Sequence, residues 1–200
     1  MGVRELMPPL FLRLGRDQEC YDFCKWWMTT GQRYNWGDNS LPYLDIKNAD
    51  VFEAADPFLG KYSLTHSVAV ALLKIRLLLD LQRLESAKQQ GGPRASEEIF
   101  EEFRKHAVSS IIAGNPEFVN RDLTPHIARL KAQIKQLFDA ANNSNKYFWP
   151  ALVKPGDNLT ARPGLYSPGD ESEMQLKLVY WYNAWLETPG AISVIEELSK

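Results

Sequence analysis

Between Leu64 and Lys88 the chain has almost no polar face. Leu64, Val68, Ala71, Leu72, Ile75, Leu78, Leu79 and Leu81 recur at helical spacing, and their stripe is too wide for a surface helix. Only Lys74, Arg76, Asp80 and Arg83 mark a narrow side, which is expected to meet solvent. A helix apolar nearly all round must be surrounded by other elements. The rest of the chain supplies helices and no alternating run long enough for a sheet, so the expected fold is all-α. Five to six helices pack around residues 64–88, with two long irregular loops.

The flanking segments read as follows. Residues 1–15 are expected to be an N-terminal tail with an apolar patch at Leu10, Phe11, Leu12 and Leu14, and residues 16–200 a single helical domain. A helix over 17–29 has Asp17 as its cap and Cys20, Phe23, Cys24 and Trp27 on one face, and Gly31 ends it. Ser63 or Thr65 caps the central helix, and 89–95 form a loop. Ser96 starts a helix to about 113, stopped by Gly114 and Pro116. Thr124-Pro125 opens a helix to about 142. Ser167-Pro168 opens another that ends near Leu186, with Met174, Leu178, Trp181 and Trp185 as its stripe. Thr188-Pro189 opens a short last one ending near Leu198. The loops are 31–62 and about 145–166, and the second starts with the aromatic plug Tyr147, Phe148 and Trp149.

At 200 residues, with 44% hydrophobic and 24% charged residues, the chain is long enough and apolar enough to bury one core. A net charge of -2 supplies no attraction for nucleic acid or an anionic membrane surface. No apolar run reaches the roughly 18–20 residues of a membrane span. Two cysteines make neither a disulfide scaffold nor a zinc site. Their spacing within one helix suits reduced, buried thiols and a cytoplasmic or nuclear location. Pro8 and Pro9 break the apolar N-terminus, which does not read as a signal peptide. The sequons at Asn142 and Asn158 have no meaning without secretion.

No nucleotide loop or nucleophile elbow is present. Glu102 and His106 share a helix face and read as a surface pair. The 31–58 segment is different. It combines Tyr34, Trp36 and Tyr43 with Asp38, Asp45, Asp50, Glu53 and Asp56. Carboxylates beside aromatic rings suit a basic peptide or a small cationic or sugar-like ligand. The bland alternative is a loop that pins itself down with aromatics and caps its own turns with Asp.

The wording LRLGRDQECYDFCKWW, then YNWGDNSLPYLDIKNADVFE, with FWPAL and ETPGAISVIEEL near the end, resembles a region of fungal proteins that carry a MYND-type zinc finger. That finger is a Cys/His-rich module of protein–protein contact. With only Cys20 and Cys24 here, the finger itself is absent. The resemblance therefore implies the finger's helical companion, and it transfers no catalytic residue.

Two functions are expected from these features. The first is an interaction or scaffolding module that meets a protein partner through 31–58, with Trp36 and Tyr43 as anchors and Asp38, Asp45 and Asp50 reading basic groups. The second is a small enzyme or small-molecule-binding protein that needs no cofactor or metal. Its pocket would lie between 31–58 and 145–166, with Asp38, Asp45 and His66 as polar groups.

Overall fold

The computed structural model describes residues 2–60, 64–90 and 96–200. Ser63 and residues 91–95 lie outside these. The described residues are all-α and contain no strand. The helices are α1 (Val3–Arg13), α2 (Asp17–Met28), α3 (Leu64–Gln90), α4 (Ser96–Arg104), α5 (Ser110–Ala113), α6 (Thr124–Ser144), α7 (Phe148–Val153), α8 (Glu171–Leu186) and α9 (Ala191–Leu198). Short 3-10 turns at Thr30–Arg33, Asp56–Phe58, Pro116–Asn120 and Gly156–Leu159 punctuate the connections.

The central helix is α3, as its composition requires. It touches α1, α2, α4, α5, α6 and α9. Its main neighbour is α6, which runs antiparallel to it: Lys88 reaches the Arg121 carbonyl just before α6, Lys74 bonds Gln133 midway, and Leu64 shares a cavity with Asn142–Asn145 at the far end. On α8, Met174, Leu178, Trp181 and Trp185 are buried as the stripe predicts. Trp149 is the expected plug, stacked on Phe138 at 5.4 Å and donating its indole N–H to the Phe138 carbonyl.

The narrow polar side of α3 is exposed only at Arg83, whose side chain is 37% accessible. Lys74 and Asp80 are fully buried, and Arg76 is nearly so. Each side chain binds backbone from an irregular segment. The Lys74 ammonium donates to the Val51 and Glu53 carbonyls and to Gln133. Arg76 donates to the Leu12 and Val108 carbonyls and pairs with Asp17 at 2.8 Å. Asp80 accepts from the Val108 and Ser109 amides. Loops cannot enter a core unless their polar backbone finds partners, and α3 supplies those partners.

This row explains the first of the other departures from expectation. The helix expected over 96–113 is broken between α4 and α5, because Asp80 and Arg76 bind the backbone of Val108 and Ser109 and divert it from helical bonding. Asp17 does not cap its own helix. Its carboxylate accepts from the Ser110 amide at 2.9 Å, at the start of α5. The working caps of α6 and α8 are the carboxylates of Asp122, on the Thr124 amide, and Asp170, on the Glu173 amide.

The expected tail contains α1, which includes Pro8 and Pro9 despite the amides they cannot donate. Burial compensates. Pro8, Pro9 and Leu12 are buried, and Phe11 meets Phe23 edge-on at 5.8 Å. Arg76 takes the Leu12 carbonyl, and Arg13 pairs with Glu187 at 2.7 Å.

Burial pushes the Asp80 carboxyl up to about 6, against the downward pull of the Ser109 and Val108 amides and of Arg83 and Arg76. Its folded pKa thus lies above the unfolded value. The stability this group contributes is fully present below about pH 4 and is lost as pH rises through about 6. In urea unfolding, the advantage of the native chain over Asp80→Asn is expected to grow between about pH 7 and pH 4.5, by at most roughly 3 kcal/mol. A pH-independent difference would contradict this assignment.

Candidate functional site

The C-terminus of α2 carries adjacent tryptophans. Trp26 is fully buried and Trp27 half-buried, with their rings edge-on at 5.1 Å. The chain then turns back over this pair, which only glycine permits: a Cβ at Gly31 would stand 2.8 Å from the Trp26 ring and 3.1 Å from that of Trp27. The returning segment lays three more rings on the pair. Tyr34 meets Trp26 at 5.2 Å, Tyr43 meets Trp26 at 5.0 Å, and Trp36 stacks on Trp27 at 5.7 Å. The three newcomers also touch one another, Tyr34 and Trp36 at 4.9 Å. The Arg4 guanidinium of α1 lies 5.2 Å from the Trp27 ring.

Hydrogen bonds hold the loop in this shape. The Tyr34 hydroxyl donates to the Leu41 carbonyl at 2.9 Å and closes the 34–41 turn. Leu44 takes a left-handed conformation at φ 50, unusual for a branched residue, between the ring of Tyr43 and the carboxylate of Asp45. Asp45 accepts the buried Trp26 indole N–H at 3.0 Å. Asp22 accepts from the amides of Asn48 and Ala49, which anchors the next turn.

The five-ring cluster is therefore buried at its base and open at its top. Trp36 is 60% exposed and Tyr43 52%. Beside them lies an open depression of about 650 Å³ bordered by Met28, Arg33, Tyr34, Leu41, Pro42 and Asp45. The rings are in mutual contact, so no ligand fits between them. They offer faces and edges, not a cage.

Of the residues expected at the site, Tyr34, Trp36, Tyr43 and Asp45 come together, with Asp38 in the adjoining turn. Asp38 accepts from both the amide and the hydroxyl of Ser40, and these bonds hold its carboxyl below the usual range. Asp50 is elsewhere. It accepts from the Phe52 amide and borders a different depression, with Gln18 and Phe118. Glu53 bonds Tyr21 and Lys25. The carboxylates thus largely cap turns and fix rings. Only Asp45 combines such a role with an exposed place in the platform's border.

His66 does not join Asp38 and Asp45. It is half-buried on the first turn of α3, its Nε2 has no hydrogen bond, and burial, reinforced by Lys177 and Arg4, pushes it down to about 4. The two largest depressions described are not shared by the two long loops either. The 650 Å³ depression is bordered by 28–45 alone, whereas residues near the second loop border a cavity with Glu5 and Leu64. Asp38, Asp45 and His66, the polar groups expected to converge between the loops, are therefore not brought together.

Trp26, which widens the helix stripe, Gly31, which ends the helix, and Arg4 were not among the residues expected at the site. Helical spacing places Trp27 on the core stripe, yet Trp26 is the one fully buried. The available signal was the Trp-Trp pair five residues before a glycine. Cys20 and Cys24 are free and buried. Among the described residues, no three His, Cys, Asp or Glu side chains are placed to hold a metal ion, and no helix is long and apolar enough to cross a membrane. No family model matches the chain, nor does any curated protein or any solved structure.

Proposed function

We propose that this chain is a protein-interaction or scaffolding module whose contact surface is the Trp36–Tyr43 platform, and that its partner presents a basic segment. The observation that carries this reading is a largely exposed tryptophan held rigid by stacking on a half-buried one. Aromatic anchors of this kind lose little side-chain freedom on binding and dominate contact energies. Asp38 and Asp45 are the carboxylates at the platform, and the open ring faces attract Lys and Arg. A place beside an interaction finger, as the resemblance to fungal MYND-type proteins implies, suits the same role.

The test is affinity capture with the native chain and the Trp36→Ala/Asp38→Ala double variant, with cross-linking from position 43. Both altered side chains lie in the surface turn, so the variant is expected to stay folded, within about 1 kcal/mol of the native chain. The expected result is a captured protein, cross-linked through a Lys- or Arg-rich segment, that the variant loses. Identical partners for both, or a cross-linked segment without basic residues, would overturn the proposal.

A further inference from the structure

The Trp36–Tyr43 platform has polar edges as well as apolar faces. One face of Trp36 lies on Trp27, with the rings 24° from parallel, so its opposite face is the open one. The Tyr43 ring is inclined to Trp36 by 62°, with ring centres 6.0 Å apart. The two open rings therefore form a ridge, not a flat sheet. The Tyr34 hydroxyl is already bonded to the Leu41 carbonyl. Among the described residues, the Trp36 indole N–H and the Tyr43 hydroxyl have no hydrogen-bond partner. Arg33, on the border of the adjoining depression, is likewise exposed and unpaired among them. On the acceptor side, Asp38 and Asp45 use Oδ1 for their bonds to Ser40 and Trp26 and keep Oδ2 open.

Three unused donors on an apolar ridge restrict what can cover it. A donor covered without an acceptor loses its hydration and gains nothing, so the covering segment must bring free carbonyl oxygens to the rings. The carbonyls of an α-helix are bonded within the helix, except in its last turn. A β-strand needs a sheet edge to add to, and the described residues contain no strand. In polyproline II every carbonyl is free, and prolines bring no backbone N–H that would need an acceptor here. Their rings are apolar bodies that lie against aromatic faces. The conformation is also ordered before binding, which lowers the entropy lost on association. The platform's own acceptors are carboxylates, so the prolines must be interspersed with a cation.

We propose that the platform binds a proline-rich segment in the polyproline II conformation. Prolines lie on the open faces of Trp36 and Tyr43, backbone carbonyls accept from the Trp36 indole and the Tyr43 hydroxyl, and an interspersed Lys or Arg meets Asp45. This rests on the reading of the platform as a surface for a basic segment, and it specifies the backbone of that segment.

The test is an NMR titration of the full chain, followed at the Trp36 indole N–H and the 34–45 amides. The probes are three blocked peptides of equal length: repeated Pro-Pro-Arg, repeated Ala-Ala-Arg with the same charge, and repeated Pro-Pro-Gln without it. The expected result is saturable shifts at these groups with the proline–arginine peptide, and affinity about tenfold lower for each of the other two. Tyr43→Phe keeps the ring and removes a hydroxyl that no described residue bonds, so it is expected to fold. Its affinity for the proline–arginine peptide should fall about fivefold, as for loss of one hydrogen bond. Equal binding of the alanine–arginine peptide at the platform overturns the polyproline assignment and leaves the basic-segment reading standing. Unchanged affinity in Tyr43→Phe overturns it as well. So does the absence of saturable shifts at millimolar proline–arginine peptide, or their appearance only outside 34–45. The basic-segment reading then stands or falls by the affinity capture alone.

Discussion

Replacing Lys74 with methionine is expected to destabilise the chain by roughly 3 kcal/mol or more. Methionine comes close to filling the volume, so the cost is chiefly polar. Three oxygens now served by the ammonium, the Val51 and Glu53 carbonyls and Gln133 Oε1, would remain buried without that donor. Burial pushes Lys74 down to about 8, which leaves it charged at neutral pH. Gln133 would keep its own donations to the Phe52 and Glu53 carbonyls. The 51–53 segment should therefore loosen before the core does. Urea unfolding gives the size of the effect, and hydrogen exchange gives its place: amides of 45–58 should lose protection ahead of those of α6. A loss below about 1 kcal/mol would show that water replaces the ammonium. Because this segment continues from the platform, the variant also asks whether the Tyr43 and Trp36 rings keep their arrangement when its far end is released.

Arg76→Met is expected to cost about 3–5 kcal/mol at neutral pH, the range for a buried ion pair that loses one partner. The guanidinium joins α3 to the end of α1, the start of α2 and the break before α5. Without it Asp17 keeps the Ser110 amide but loses its ion pair in the interior. Burial already raises the Asp17 pKa, and Arg76 is the main opposing influence, so the variant should raise it further. A carboxyl whose folded pKa lies above its unfolded value contributes stability that is present at low pH and lost as pH rises. The cost of Arg76→Met should therefore shrink as pH is lowered from neutrality and Asp17 takes up a proton. Thermal unfolding of both proteins at neutral and lower pH checks it. A cost independent of pH would mean that the loss comes from the Leu12 and Val108 carbonyls, not from Asp17.

Both variants act on residues whose character is local but whose role is not. The 64–88 period reveals a central helix because a stripe that wide has no solvent-facing alternative. The same period places Lys74, Arg76 and Asp80 on its only polar side, and solvent is the natural partner for charges there. In the folded chain the partners are backbone groups of Leu12, Val51, Glu53, Val108 and Ser109, between 21 and 64 residues away. Hydrophobic periodicity carries no information about such pairings. The α4–α5 break, and the role of Asp17 in capping α5, follow from them and were hidden for the same reason.

The candidate site divides in the same way. That 31–58 is irregular, aromatic and acidic is evident from its residues. Which rings gather, and which stay open to a partner, depends on the return of the chain over Trp26 and Trp27, permitted by Gly31 and fastened by Asp45. Asp50 and His66 share the composition of the site and not its location. The second cavity, with Glu5 and Leu64, is bordered by residues of α1, α3, α6 and α8, which are not consecutive elements, so no local pattern announces it.

The sequence by itself determined that this chain is all-α, that 64–88 lies at its centre, and that Trp149 and the Met174–Trp185 stripe are buried. Apolar periodicity expresses these locally, and burial of apolar area enforces them. The tertiary structure alone decided where the charges go. Their energies depend on partners brought from distant segments, and a buried charge is tolerated only where those partners converge.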